Sequence, residues 1–70
     1  MDKPALKTVT LGHWIAVEEH IALLQKLAAA ASQAGSVGEK ALSAMLLREA
    51  SAVCATLVKQ TAEISESLAA

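Results

Sequence analysis

Seventy residues with a formal net charge of −1, one cysteine and a single aromatic residue, Trp14, exclude several classes of protein at the outset. A chain this short buries only about 60% of the surface it would expose unfolded. It cannot form an internal disulfide, and it has neither the basic bias of a nucleic-acid binder nor His, Cys and acidic residues at metal-site spacing. What remains is an aliphatic, alanine-rich sequence that suits closely packed helices and offers little for a sheet core, so the expected class is all-α.

Residues 1–10 carry Pro4 and the β-branched run Thr8-Val9-Thr10, and read as an extended arm whose Ala5, Leu6 and Val9 can dock on a helix. Met1-Asp2-Lys3-Pro4 lacks the basic-then-apolar order of a secretory leader. Glu18, Glu19, Gln25 and Lys26, and later Arg48 with Glu49, interrupt the apolar stretches short of an unbroken membrane span. The expectation is a soluble, cytoplasmic protein of a reducing compartment, with Cys54 unpaired.

Thr10 is a suitable cap for a first helix over residues 11–34, with Gly12 a weak point in its first turn. Val17, Ile21, Leu24, Ala28 and Ala31 form a seam at heptad spacing, broadened by Ala16, Leu23, Leu27 and Ala34. Glu18, Glu19, Gln25, Lys26, Ser32 and Gln33 take the other side. Gly35 supplies a left-handed helix stop within a turn at 35–38.

The second helix is expected over residues 36–68, opened by a capping box between Ser36 and Glu39. Its apolar residues repeat every eleven positions: Leu42, Leu46, Ala50; Val53, Leu57, Thr61; Ile64, Leu68. Such a repeat runs almost straight along a helix. Leu47, Cys54 and Val58 widen the stripe on one flank, while Lys40, Arg48, Lys59, Glu63 and Glu66 lie opposite.

So short a connection forces an antiparallel two-helix hairpin. Folded about Gly35, Ala31 should face Leu42, Leu27 should face Met45 and Leu46, His20 should face Val53, and Val17 should face Leu57. The second helix would overhang the first by about 10 Å, leaving Ile64 and Leu68 without a helical partner in the hairpin. Two apolar faces this wide exceed one seam, because burying a large aliphatic side chain gains about 1.5–3 kcal/mol only when it is fully covered. The hairpin is therefore expected to assemble into a helical bundle, by self-association or against a partner helix.

His13 and His20 lie on one side of the first helix, two turns apart, which is roughly 10 Å and too far for one ion. They read as interface histidines, not metal ligands. Cys54 has no base beside it and reads as a small buried hydrophobe. Glu18 with Glu19, and Glu63 with Glu66, sit on polar faces without a concavity and read as solvated. No catalytic residue, cofactor site, metal site or small-molecule pocket is expected, and the chain reads as no enzyme. The expected partner-binding residues are Trp14, Ile15, Val17, His20, Ile21, Leu24, Leu46, Val53, Leu57, Ile64 and Leu68. Trp14 and Ile15 project away from the main seam, where either the arm covers them or they anchor a partner.

A chain of this length with an arm, an amphipathic helix, a glycine turn and a longer amphipathic helix resembles the small cochaperones that hold type III secretion needle subunits in the bacterial cytoplasm. The likeness covers the whole chain and is one of size and layout. It implies a helical hairpin that pairs with a larger helical-repeat chaperone, the two together keeping an aggregation-prone needle subunit monomeric. The Gly35 to Gly38 turn differs from the proline-containing turn of the needle subunits themselves. The competing expectation is a small dimeric regulatory adaptor, antitoxin-like or of the plasmid-control four-helix-bundle type. Neither reading involves nucleic acid through a basic face, a membrane or a small-molecule substrate.

Overall fold

The computed structural model describes residues 8–69; the expected arm lies outside the described residues as far as residue 7. Two helices, α1 (Leu11–Ser36) and α2 (Lys40–Ala69), pack as an antiparallel hairpin, and no strand occurs among the described residues. This is the all-α hairpin that the two amphipathic segments predict.

Thr10 is the N-cap of α1, in extended conformation. Its backbone N–H donates to Nδ1 of His13 at 2.9 Å, so an imidazole does here what a glutamate does in the usual capping box. His13 is thus committed to closing the first turn.

The turn differs from expectation in which glycine does what. Gly38, not Gly35, takes the left-handed conformation, at φ 84°. The Gly38 amide donates to the Gly35 carbonyl at 3.1 Å and the Glu39 amide to the Ala34 carbonyl at 2.9 Å, which together form a Schellman motif. Gly35 stays helical, and a Cβ there would meet Oγ of Ser43 at an ordinary 3.4 Å. Ser36 caps nothing. It is the last residue of α1, and its hydroxyl donates to the Ser32 carbonyl at 2.8 Å. Glu39 instead starts α2, its carbonyl accepting the Ser43 amide.

The seam is a heptad on both helices. On α1 the residues His13, Val17, His20, Leu24, Leu27, Ala31 and Ala34 are withdrawn from solvent along the seam, and on α2 Ser43, Leu46, Ala50, Val53, Leu57, Gln60, Ile64 and Ser67; Ala16 and Glu63, beside the seam, are half-buried as well. Steps of three and four alternate without a break, the spacing of helices that coil around each other. The eleven-residue stripe does not describe the contact. Leu42, Thr61 and Leu68 are exposed because Ser43, Gln60 and Ser67 beside them hold the seam positions. Likewise Ile21 and Ala28 of α1 are exposed, with His20 and Leu27 inside.

Two polar contacts fix the register. Ser43 Oγ donates to the Ala31 carbonyl at 2.8 Å, and Nδ1 of His20 lies 3.0 Å from Oε1 of Gln60 across the seam. His20 therefore faces Gln60, seven residues beyond the expected Val53. Val17 shares a groove with Ile64, seven beyond the expected Leu57. Near the turn Ala31 meets Ser43, one residue beyond the expected Leu42, whereas at the open end the partners lie further along α2, which brings the end of α2 under the start of α1. With 26 and 30 residues the helices differ by only about 6 Å, and Ile64, expected to overhang, is one of the most buried side chains at 5% exposure.

Candidate interaction surface

The hairpin is one helix thick. Its extents are 48 × 27 × 14 Å and its radius of gyration is 15.4 Å, against about 11 Å for a compact domain of this length. Domains ordinarily bury apolar faces between two layers; here there is one layer, so each broad face is open.

The two faces are chemically different. On the first, Trp14 and Val17 of α1 meet Thr61, Ile64, Ser65 and Leu68 of α2 around an open groove of about 480 Å³. Because the seam keeps heptad spacing, so do the columns beside it. Trp14 is followed by Ile21, Ala28 and Gly35, and Leu68 is preceded by Thr61, Cys54 and Leu47. Trp14 and Leu68 line one groove across the hairpin, while near the turn Gly35 lies against Ser43. Gln25, Ser32, Val58 and Ser65 flank these columns and are uncharged, whereas Glu18 precedes Gln25 and Lys40 precedes Leu47 at the same heptad spacing.

The second face is acidic. Ala16 and Glu63 lie on it at one end, and Ala30, Val37, Glu39 and Leu42 at the other. Glu49 falls on the heptad column from Leu42 to Glu63, between the two ends. An apolar partner meets carboxylates here, which lose hydration if covered without a counter-charge.

The residues expected to bind a partner fall into three groups. Val17, His20, Leu24, Leu46, Val53, Leu57 and Ile64 occupy the seam, where they hold the helices to each other. Trp14, Ile21 and Leu68 stand on the first face, exposed by 44%, 43% and 65%. Ile15, about 100° further round than Trp14, turns to the outer side of α1 and is separated from it. Leu47 and Cys54 continue the α2 column of this face, which ends at Lys40; as flanking residues of the α2 stripe they were visible in the sequence, but not as members of a face shared with Trp14. Cys54 is exposed, not buried, because Val53 beside it holds the seam position.

The histidines serve the fold: His13 caps α1 and His20 pairs with Gln60. No group of three or more His, Cys, Asp or Glu able to hold a metal occurs among the described residues. α2 is long and apolar enough, by length and composition, to cross a membrane. Its eighteen residues between Lys40 and Lys59 nevertheless hold Arg48 and Glu49 near their middle, where one such charge costs about 3 kcal/mol. Compared with known protein families, curated proteins and solved structures, the chain matches none of them.

Proposed function

We propose that this chain is a non-enzymatic helical interaction protein, working in the cytoplasm as a small cochaperone that covers the apolar helix of a partner chaperone or secretion subunit. The observation that carries the reading is the open, largely apolar groove that Trp14 and Val17 form with Thr61, Ile64, Ser65 and Leu68. With Ile21, the exposed Trp14 and Leu68 form a flat apolar strip of the kind that accepts an amphipathic helix by ridge-and-groove packing. Tryptophan is enriched among residues that dominate binding energy, and Trp14 lines the groove at one end of that strip.

Co-expression with a needle-type secretion subunit and its helical-repeat chaperone tests the reading. A stoichiometric soluble complex is expected, weakened by more than about 1 kcal/mol in Trp14→Ala and lost in Ile21→Glu. Failure to form any complex, or a complex indifferent to both substitutions, overturns it.

The dimeric regulatory adaptor is the second reading, favoured by the same open face. It is distinguished by its companion: a toxin-like or regulatory protein in the isolated complex, with no affinity for secretion subunits.

A further inference from the structure

The groove between Trp14 and Leu68 lies at the pole where α1 begins and α2 ends, and the chain enters α1 at that same pole. Its approach is directed. Thr10 is the N-cap and His13 the third helical residue, so Val9 immediately precedes the cap and Trp14 is the fourth residue of the helix. An apolar residue before the cap packs on the fourth helical residue and fixes the angle at which the chain arrives. Val9 is half-buried although it lies outside both helices, while Thr8 and Thr10 on either side of it are exposed. That combination turns the segment before Val9 toward the Trp14 side of α1.

We infer that the resident of this groove is the chain's own arm, residues 1–7, which lie outside the described residues, with Leu6 seated against Trp14 and Leu68 so that a partner must displace it. The inference rests on reading the groove as an interaction surface, and it names what occupies that surface before a partner arrives.

Reach, chemistry and charge each favour the arm. Leu6 is four residues from Thr10, which places it within about 14 Å of the cap, and Trp14 stands only about 6 Å along the helix from the same point. The α2 wall of the groove, from Thr61 to Leu68, is roughly 10 Å long, a span that about three extended residues cover. Pro4, Ala5 and Leu6 form an apolar run between Lys3 and Lys7. Among the described residues the groove's lining holds no charge, and Glu18 stands one turn beyond Trp14 on the same side of α1. An apolar run bracketed by lysines therefore suits an apolar floor with a carboxylate close by. A short tether also holds the arm at millimolar effective concentration, which a second copy in dilute solution does not reach. Partner affinity is then lowered to the fraction of time the groove stands open.

The full chain tests this directly. Nuclear Overhauser spectra should show the Leu6 methyls against the Trp14 indole, with intensities per chain unchanged on dilution. Leu6→Asp alters no helical residue and should keep the helical circular dichroism. It should move Trp14 emission to longer wavelength and raise the fluorescence of the apolar dye anilinonaphthalene sulfonate at least about threefold, a gain that adding Trp14→Ala abolishes.

A Leu6 that touches neither Trp14 nor Leu68, with Trp14 emission indifferent to Leu6→Asp, overturns the inference. A contact that fades on dilution belongs to a second copy and overturns it equally. So does dye binding unchanged in Leu6→Asp, because the arm would then not close the groove. None of these results touches the interaction reading, which falls only if the partner complex fails to form or ignores Trp14→Ala and Ile21→Glu.

Discussion

His20 and Gln60 show how one polar pair can do what a run of leucines cannot. Leucine side chains pack nearly as well one heptad out of place, whereas the 3.0 Å contact from imidazole to amide exists in one register only. A double-mutant cycle on His20→Ala and Gln60→Ala should return a coupling of about 1 kcal/mol from thermal unfolding, and no coupling would mean that the pair is incidental. Ile64 and Leu68, one helical turn apart, make the complementary contrast. Truncation of the 5%-exposed Ile64 to alanine should cost about 2–4 kcal/mol of stability, whereas Leu68→Ala at 65% exposure should cost less than about 1 kcal/mol in the monomer. Leu68→Ala should instead weaken association. The residue-level surprise is that the seam holds Ser43, Gln60 and Ser67, where the eleven-residue stripe selects their neighbours Leu42, Thr61 and Leu68.

At the level of the helices and the turn, each glycine has its own job, and substitutions should separate them. Gly38→Ala forces a Cβ into the left-handed region and should destabilise the hairpin by about 1–2 kcal/mol. Gly35→Ala removes a flexible residue from a helix interior, and its Cβ would meet Ser43 Oγ at an ordinary 3.4 Å contact. It should stabilise by about 0.5 kcal/mol, and urea unfolding of both variants checks the opposite signs. The existence and type of both helices were legible, because long alternations of apolar and polar residues leave little choice. The junction was less so: Ser36 and Glu39 fit a capping box by spacing alone, and only the preceding backbone reveals that Gly38, Glu39, Ala34 and Gly35 form a Schellman closure instead. That displacement, with the polar seam residues, is why the cross-helix partners of α1 lie further along α2 than Gly35-centred folding puts them, most of all at the open end. The groove was legible only in pieces, since Trp14 begins α1 and Leu68 ends α2, and they share a surface only once the register is known.

For the whole molecule, thickness decides behaviour. A layer 14 Å deep leaves both broad sides in water, and its thin stability should rise with concentration if the apolar side finds a copy. Thermal midpoints measured from about 1 to 100 µM test this: a climb in the unmodified chain that is absent from Ile21→Glu would mark self-association, and a flat series in both would exclude it over that range. Trp14, the only aromatic residue and 44% exposed, reports on the groove separately. Its emission should stay constant over the same concentrations if the arm, and not a copy, lies on it.

The Schellman closure at Gly38 bears on kinetics as well as on shape. With only Val37, Gly38 and Glu39 between the helices, almost no chain entropy is lost in bringing the rods together, so the hairpin should form on the microsecond scale of helix and short-loop events. Docking two such hairpins is slower and depends on how often they collide. A temperature-jump experiment should therefore resolve a fast phase indifferent to dilution, and any phase whose rate falls with it belongs to docking, separating the making of the rod pair from its search for company.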